Sequence, residues 1–256
     1  MLIIFGLLLA FVLIAAGLAR YFIVNDEGER EPIGALWLAF GFGFAGGIVA
    51  AIIETFFIPI KDLGSAAPLY VILIASLAVG VIEESCKFIP LSFFLYPKRY
   101  FNEHTDGVIY FALAGLGFGL PENILYTLHF GTSTGFSRIL LTPFFHAATT
   151  GMVGFFLIKG KLAGRSRARS WLALTLAMLL HGLYDFGLAS GVTLYIMASI
   201  VITLTLSVLL FLFYATATEL DQQRGLSVVG HNSFCRSCGH PNPEHNLYCA
   251  RCGKRA

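Results

Sequence analysis

Residues 64–97 read GSAAPLYVILIASLAVGVIEESCKFIPLSFFLYP. A helix that crosses a bilayer needs roughly 20 mostly apolar residues, and this run exceeds that length. Its middle nevertheless carries Glu83, Glu84 and Lys87. Ionisable side chains at bilayer depth are costly and mark functional sites by default. One stretch therefore points both to a membrane-spanning helix and to chemistry placed halfway along it.

The pattern repeats on either side. Apolar runs at Leu2–Ala19, Ile33–Ile53, Gly107–Phe130, Ile139–Ile158, Trp171–Ala189 and Gly191–Ala217 bring the expected spans to seven. Of the 256 residues, 57% are hydrophobic and 12% charged, whereas a soluble domain carries about a quarter charged residues. That excludes a soluble enzyme, a disordered chain, a collagen and a disulfide-rich secreted scaffold. The fold class is an all-α polytopic membrane protein of about seven transmembrane helices, plus a small C-terminal zinc-ribbon domain. The first run has no basic segment before it, so it reads as a retained helix and not a cleaved signal.

The positive-inside rule orients the chain. With the N-terminus outside, fourteen of the seventeen Lys and Arg fall on the inner side, Lys61 and Arg138 fall outside, and Lys87 lies within a helix. The tail is then cytosolic. The run Arg165–Arg169 reads as a topology-setting loop that also suits anionic headgroups. Three units follow: a membrane domain over 1–217, a polar linker over 218–232 and a zinc ribbon over 233–256.

The ribbon rests on Cys235-Arg-Ser-Cys238-Gly and Cys249-Ala-Arg-Cys252-Gly. Four thiolates at this spacing close a tetrahedral Zn²⁺ site, and so short a segment takes its folding free energy from the metal. The reducing cytosol argues against disulfides. From His231 to Ala256, Arg236, Arg251, Lys254 and Arg255 face only Glu244, and a Zn(Cys)₄ centre reduces this excess to about +1. With Phe234 and Tyr248 packing over the site, the ribbon reads as a protein-docking module and not a nucleic-acid binder.

Further polar groups lie within the spans. Glu122 and Asn123 follow Pro121, which leaves carbonyls of the preceding turn without their usual partner. His146 follows Pro143 on the fifth span. His181 and Asp185 share one face of the sixth, an arrangement in which Asp can hold the imidazole in one tautomer. On the third, Glu83 and Lys87 are spaced i,i+4 and read as a pair, which leaves Glu84 as a second carboxylate. Counted from the inner ends of their helices, Glu83, Glu122, His146 and His181 all lie about 15–22 Å up, near the middle of the bilayer. By the same arithmetic Glu54 is about 32 Å up, at the outer interface, where an exposed structural role is expected.

In this order the residues resemble the PrsW family of intramembrane proteases. Glu83-Glu84-Ser-Cys-Lys87 matches its EExxK motif, and Phe118-Gly-Leu-Pro-Glu122-Asn123 its FxxxEN-like motif. His146 and His181 follow on later helices, and Asp106-Gly-Val-Ile-Tyr110 resembles the lead-in to the fourth helix. The resemblance covers roughly residues 60–190. The family is distantly related to the type II CAAX prenyl endopeptidases, and by that analogy Glu83 or Glu84 is the general base for water. His181 and Asp185 match an oxyanion-stabilising position, while Glu122 departs from the relatives, which have a His there.

The resemblance implies a peptidase acting on membrane proteins in the lipid bilayer, with single-pass proteins, such as anti-sigma factors, as candidate substrates. Glutamate-activated water is the leading mechanism, with Lys87, Asn123 and Asp185 supporting and Asn123 binding the substrate backbone. Two His and one or two carboxylates also make an adequate Zn²⁺ set, so an active-site metal is left open. A proton-coupled transporter would use similar residues, but it predicts an internal repeat, and the sequence has none.

Overall fold

The computed structural model describes residues 2–58, 67–224, 232–235, 238–243, 249 and 251–252. Lys61, the start of the third run at Gly64–Ala66, linker residues 225–231, and Arg236, Glu244, Tyr248, Lys254 and Arg255 lie outside the described residues, as does the side chain of Phe234.

Seven helices among the described residues are long and apolar enough to cross a membrane. They are α1 (Leu2–Val24), α2 (Ile33–Phe57), α3 (Leu69–Phe94), α4 (His104–Phe130), α5 (Thr132–Leu162), α6 (Ala168–Ala189) and α7 (Thr193–Gln223). Two short antiparallel strands, β1 (Asn232–Phe234) and β2 (Pro241–Pro243), belong to the tail. The sequence placed all seven spans, and the differences lie at their ends. A single residue, Gly131, joins α4 to α5 at a φ of +89°, a backbone that glycine adopts without steric cost. The fifth helix therefore starts at Thr132 and not at Ile139, which draws Arg138 out of the expected outer loop and into the helix.

Helix α4 is the hub. It is buried from His104 to Gly119 and packs against α1, α2, α5 and α7. The outer helices turn Trp37, Phe56, Tyr70, Phe93, Leu172 and Leu194 outward, as expected of surfaces solvated by lipid. Backbones meet where side chains are absent. A Cβ on Gly115 of α4 would overlap the carbonyl of His146 on α5, and one on Gly182 of α6 would stand 2.6 Å from Leu77 Cα of α3. Small residues at such crossings let membrane helices approach closely, and both crossings adjoin the polar residues described below.

The end of the bundle where α4 begins and α7 ends is tied by carboxylates. Glu103 and Asp106 form a capping box at the start of α4. From the far end of α7, Asp221 accepts the backbone N–H groups of His104 (2.8 Å) and Thr105 (2.9 Å), which satisfies donors the helix itself cannot. Glu103 also accepts the backbone N–H of Glu29. Burial pushes the Asp26 carboxyl up to about 7 and that of Glu103 up to about 9, with Asp106 adding to both shifts.

Candidate active site

Glu83, Glu84 and Lys87 lie on the buried face of α3. Lys87 Nζ stands 2.8 Å from Glu84 Oε1, 3.6 Å from Glu83 Oε2 and 3.0 Å from His146 Nδ1 on α5. The closer carboxylate partner is thus Glu84 at i,i+3 and not Glu83 at i,i+4, because Glu83 turns toward His181, whose Nε2 is 3.2 Å away.

Glu84 Oε1 is shared by three groups: besides Lys87 it receives Thr149 Oγ1 at 3.2 Å and lies 2.7 Å from His181 Nδ1. A carboxylate at Nδ1 holds the proton there and leaves Nε2 with a lone pair directed at the centre. The sequence reading gave this role to Asp185, but Asp185 Oδ2 lies 3.6 Å from the other ring nitrogen. Asp185 shares a helix with His181 and approaches Nε2, whereas α3 packs closely on α6 and brings Glu84 to Nδ1.

Glu122 and Asn123 reach the same place from α4. Glu122 Oε1 pairs with Arg138 of α5, whose guanidinium lies 3.9 Å over the Tyr126 ring. Asn123 donates to Gly119 O (2.6 Å) and Thr142 Oγ1 (2.8 Å) and accepts from Arg138 Nε (3.3 Å). Its amide therefore holds Arg138 and Thr142 in place, where the sequence reading had turned it toward a substrate.

Three polar atoms at the centre make no hydrogen bond although they are buried: Glu83 Oε2, Glu122 Oε2 and His146 Nε2. The last two are only 2.6 Å apart, yet are not aligned for a hydrogen bond. Buried polar atoms without partners are rare and costly. Glu83, His146 and His181 each offer a ligand atom, and the three atoms lie within 4.8 Å of one another. Two imidazoles and a carboxylate are an apt set for a divalent transition metal with a position left for water, so these residues fit a metal. Lys87 at His146 Nδ1 is the one contact that opposes it, since an ammonium donating there leaves the imidazole proton on Nε2.

The tail holds a second cluster. The ligand atoms of Cys235, Cys238, Cys249 and Cys252 lie within 4.8 Å of one another. Cys238 N and Gly239 N both donate to Cys235 O (3.2 and 2.8 Å), and Gly239 takes a φ of +64°. That turn folds the first C-x₂-C pair around a common point, as a four-thiolate metal site requires.

All the expected membrane residues, Glu83, Glu84, Lys87, Glu122, Asn123, His146, His181 and Asp185, thus converge. Two were missed. Arg138 is buried beside Glu122; Arg138, Thr142 and His146 recur every four residues, a polar stripe on one helix face that was legible once α5 was extended. Glu54 is not exposed at the outer interface: its Oε1 is buried, and its carboxyl is in electrostatic range of Glu122, Asp185 and Lys87. Its face on α2 was misjudged. It lies one heptad after Gly47, on the side of α2 that packs on α4.

Residues 31–218 match the family model described as PrsW family intramembrane metalloprotease. The chain is 34% identical over 184 residues to the Protease PrsW of Bacillus subtilis (strain 168), covering 69% of this chain and 82% of that protein. It is 34% identical over 183 residues to the Protease PrsW of Geobacillus kaustophilus (strain HTA426), covering 69% and 79%. With the Protease PrsW of Clostridioides difficile (strain 630) the identity is 26% over 169 residues, covering 63% and 70%. No solved structure matches the chain.

Proposed function

We propose, on the premise that the chain belongs to the PrsW family of intramembrane metalloproteases, that this integral membrane peptidase cuts single-pass membrane proteins at the buried Glu83–His146–His181 centre. The observation that carries the reading is the convergence of buried polar atoms that make no hydrogen bond, from α3, α4 and α5, beside His181 of α6. Glu83, His146 and His181 would hold the metal, which when bound supplies a Lewis acid for the scissile carbonyl and for water.

The residues around the centre have separable tasks. Arg138 binds Glu122 Oε1 and leaves Oε2 facing the centre, so Glu122 is the base that takes the proton from water as its oxygen bonds to the carbonyl carbon. The same carboxyl then returns that proton to the nitrogen as the C–N bond breaks. Glu84 keeps His181 in one tautomer, and Lys87 balances the carboxylates of Glu83 and Glu84. Asp185 flanks His181 Nε2 and, in this reading, steadies its charge as the reaction proceeds.

The metal-free mechanism expected from the sequence keeps one specific support, the Lys87–His146 contact. In it Glu83 or Glu84 activates water without a cation. The orientation expected from the charge pattern places the cysteine cluster in the cytosol, where four thiolates favour Zn²⁺ and the ribbon docks a protein.

The test is a comparison of fragments released from single-pass proteins in host membranes by the wild type and by Glu83→Gln and Glu122→Gln strains at equal expression. Fragments confined to the wild type support the reading, and identical profiles with folded variants contradict it.

A further inference from the structure

The first cysteine turn of the tail rests on the membrane domain. Gly239 follows Cys238 at a φ of +64°, and a Cβ there would stand 3.4 Å from Pro32 Cγ and 3.8 Å from Tyr100 Cδ1. The glycine turn thus lies within a methyl group's reach of both side chains. Pro32 caps the start of α2, where its carbonyl accepts the N–H groups of Ala35 (2.8 Å) and Leu36 (3.2 Å). Tyr100 is half-buried in the loop between α3 and α4. One residue of α4 holds both. The Tyr110 hydroxyl donates to Glu31, the neighbour of Pro32, and its ring centroid is 6.0 Å from that of Tyr100. Tyr110 is fully buried, so this platform is anchored in the bundle independently of the tail. The end of α7 is beside it: Gln222 Nε2 donates to Glu27 of the α1–α2 loop at 2.7 Å.

We propose that the partner of the cysteine tail is this chain's own membrane domain: with a metal on Cys235, Cys238, Cys249 and Cys252, the Cys238–Gly239 turn seats on Pro32 and Tyr100 and pins the α1–α2 and α3–α4 loops. This rests on the reading of the tail as a metal-held docking module, adds the partner and the surface, and is independent of the peptidase chemistry. The metal matters because the seated element is a backbone turn. Cys238 N and Gly239 N both donate to Cys235 O, and in so short a segment it is the thiolates closing on a metal that keep such a turn formed. The tether makes a small seat sufficient. Residues 225–231 separate Arg224 from β1, a length that reaches at most about 30 Å. A short tether of this kind holds tail and platform at an effective concentration in the millimolar range. One turn covers far less than the ~1,600 Å² of a stable interface between separate proteins, so the seat suits a tethered partner and not a free one.

The test is hydrogen exchange, read by mass spectrometry, on the full-length chain purified with Zn²⁺ in detergent micelles, beside Cys235→Ser/Cys238→Ser. A seat filled about nine-tenths of the time slows opening of what it covers about tenfold. Backbone amides of residues 25–32 and 98–103 are therefore expected to exchange up to about tenfold faster in the cysteine variant, with the membrane spans unchanged. Gly239→Val, which both the φ of +64° and the nearness of Pro32 oppose, is a second change confined to the tail. It is expected to give the same result and decides if the cysteine variant does not fold. On top of Tyr100→Ala, which removes the seat, the cysteine replacements are expected to add nothing at residues 25–32. Unchanged exchange at 25–32 and 98–103 while the tail itself loses protection overturns the inference and leaves the metal-held tail standing. A tail that exchanges equally fast with and without its cysteines overturns both. Protection of the two loops that fades on tenfold dilution of the protein assigns the seat to a second copy and also overturns the inference.

Discussion

His181 Nδ1 lies 2.7 Å from Glu84 Oε1, across the α3–α6 interface. A carboxylate in this position fixes both the tautomer and the ring orientation of a histidine whose other nitrogen faces a reactive centre, and removing such a partner costs about 10–100-fold in metal affinity or activity. Glu84→Gln is therefore expected to lower turnover by that factor while leaving the protein folded. Competition with a graded series of chelators checks it: in the proposed reading, a metal held by Glu83, His146 and His181 should be lost at lower chelator strength than in the wild type.

Arg138 is buried against Glu122. Replacing it with Leu leaves a buried carboxylate without its counter-charge, which typically costs about 3–5 kcal/mol. Arg138→Leu is expected to melt well below the wild type in detergent, and to release less than about a hundredth of the fragments. Arg138→Lys restores charge but not the two-nitrogen contact to Glu122 and Asn123, so it should recover stability better than activity. Thermal denaturation and fragment release on the same samples separate the two.

The fold was legible because bilayer physics writes it in composition. Seven apolar runs gave seven helices, and the i,i+4 spacing of His181 and Asp185 put both on one face. The partners across helices were harder. Nothing local in the sequence says that Glu84 and not Asp185 reaches His181 Nδ1, since that depends on how closely Gly182 lets α6 approach α3. Arg138 was assigned to a loop because a one-residue connection at Gly131 is invisible to hydropathy. Glu54 was placed by depth alone, and depth does not say which face of α2 looks inward.

Where α4 begins, burial raises Asp26 to about 7 and Glu103 to about 9. A carboxyl whose folded pKa exceeds its unfolded value stabilises the fold fully below the unfolded value, near 4, and loses that contribution as pH rises through the folded one. The melting temperature of the purified protein is thus expected to fall from about pH 4 to about pH 9. Asp26→Asn should flatten the part of that slope below about pH 7. A melting temperature that climbs across the same range would contradict the assignment.

A segment as short as the cysteine tail cannot bury a core, so in the reading above a metal held by Cys235, Cys238, Cys249 and Cys252 would supply its folding free energy. Cys235→Ser with Cys238→Ser is expected to expose the tail to limited proteolysis near residue 235 while the seven helices stay resistant. Digestion followed by mass spectrometry reports both outcomes in one experiment.

The most direct measurement is the number of metal ions bound per purified chain, by elemental analysis of the full-length protein. Two sites predict two metals in the wild type, one in the Cys235→Ser/Cys238→Ser variant, and one in His146→Ala/His181→Ala. A folded, proteolytically active wild type with one metal, lost entirely with the cysteines, would contradict a metal at Glu83, His146 and His181 and would leave the glutamates to activate water alone.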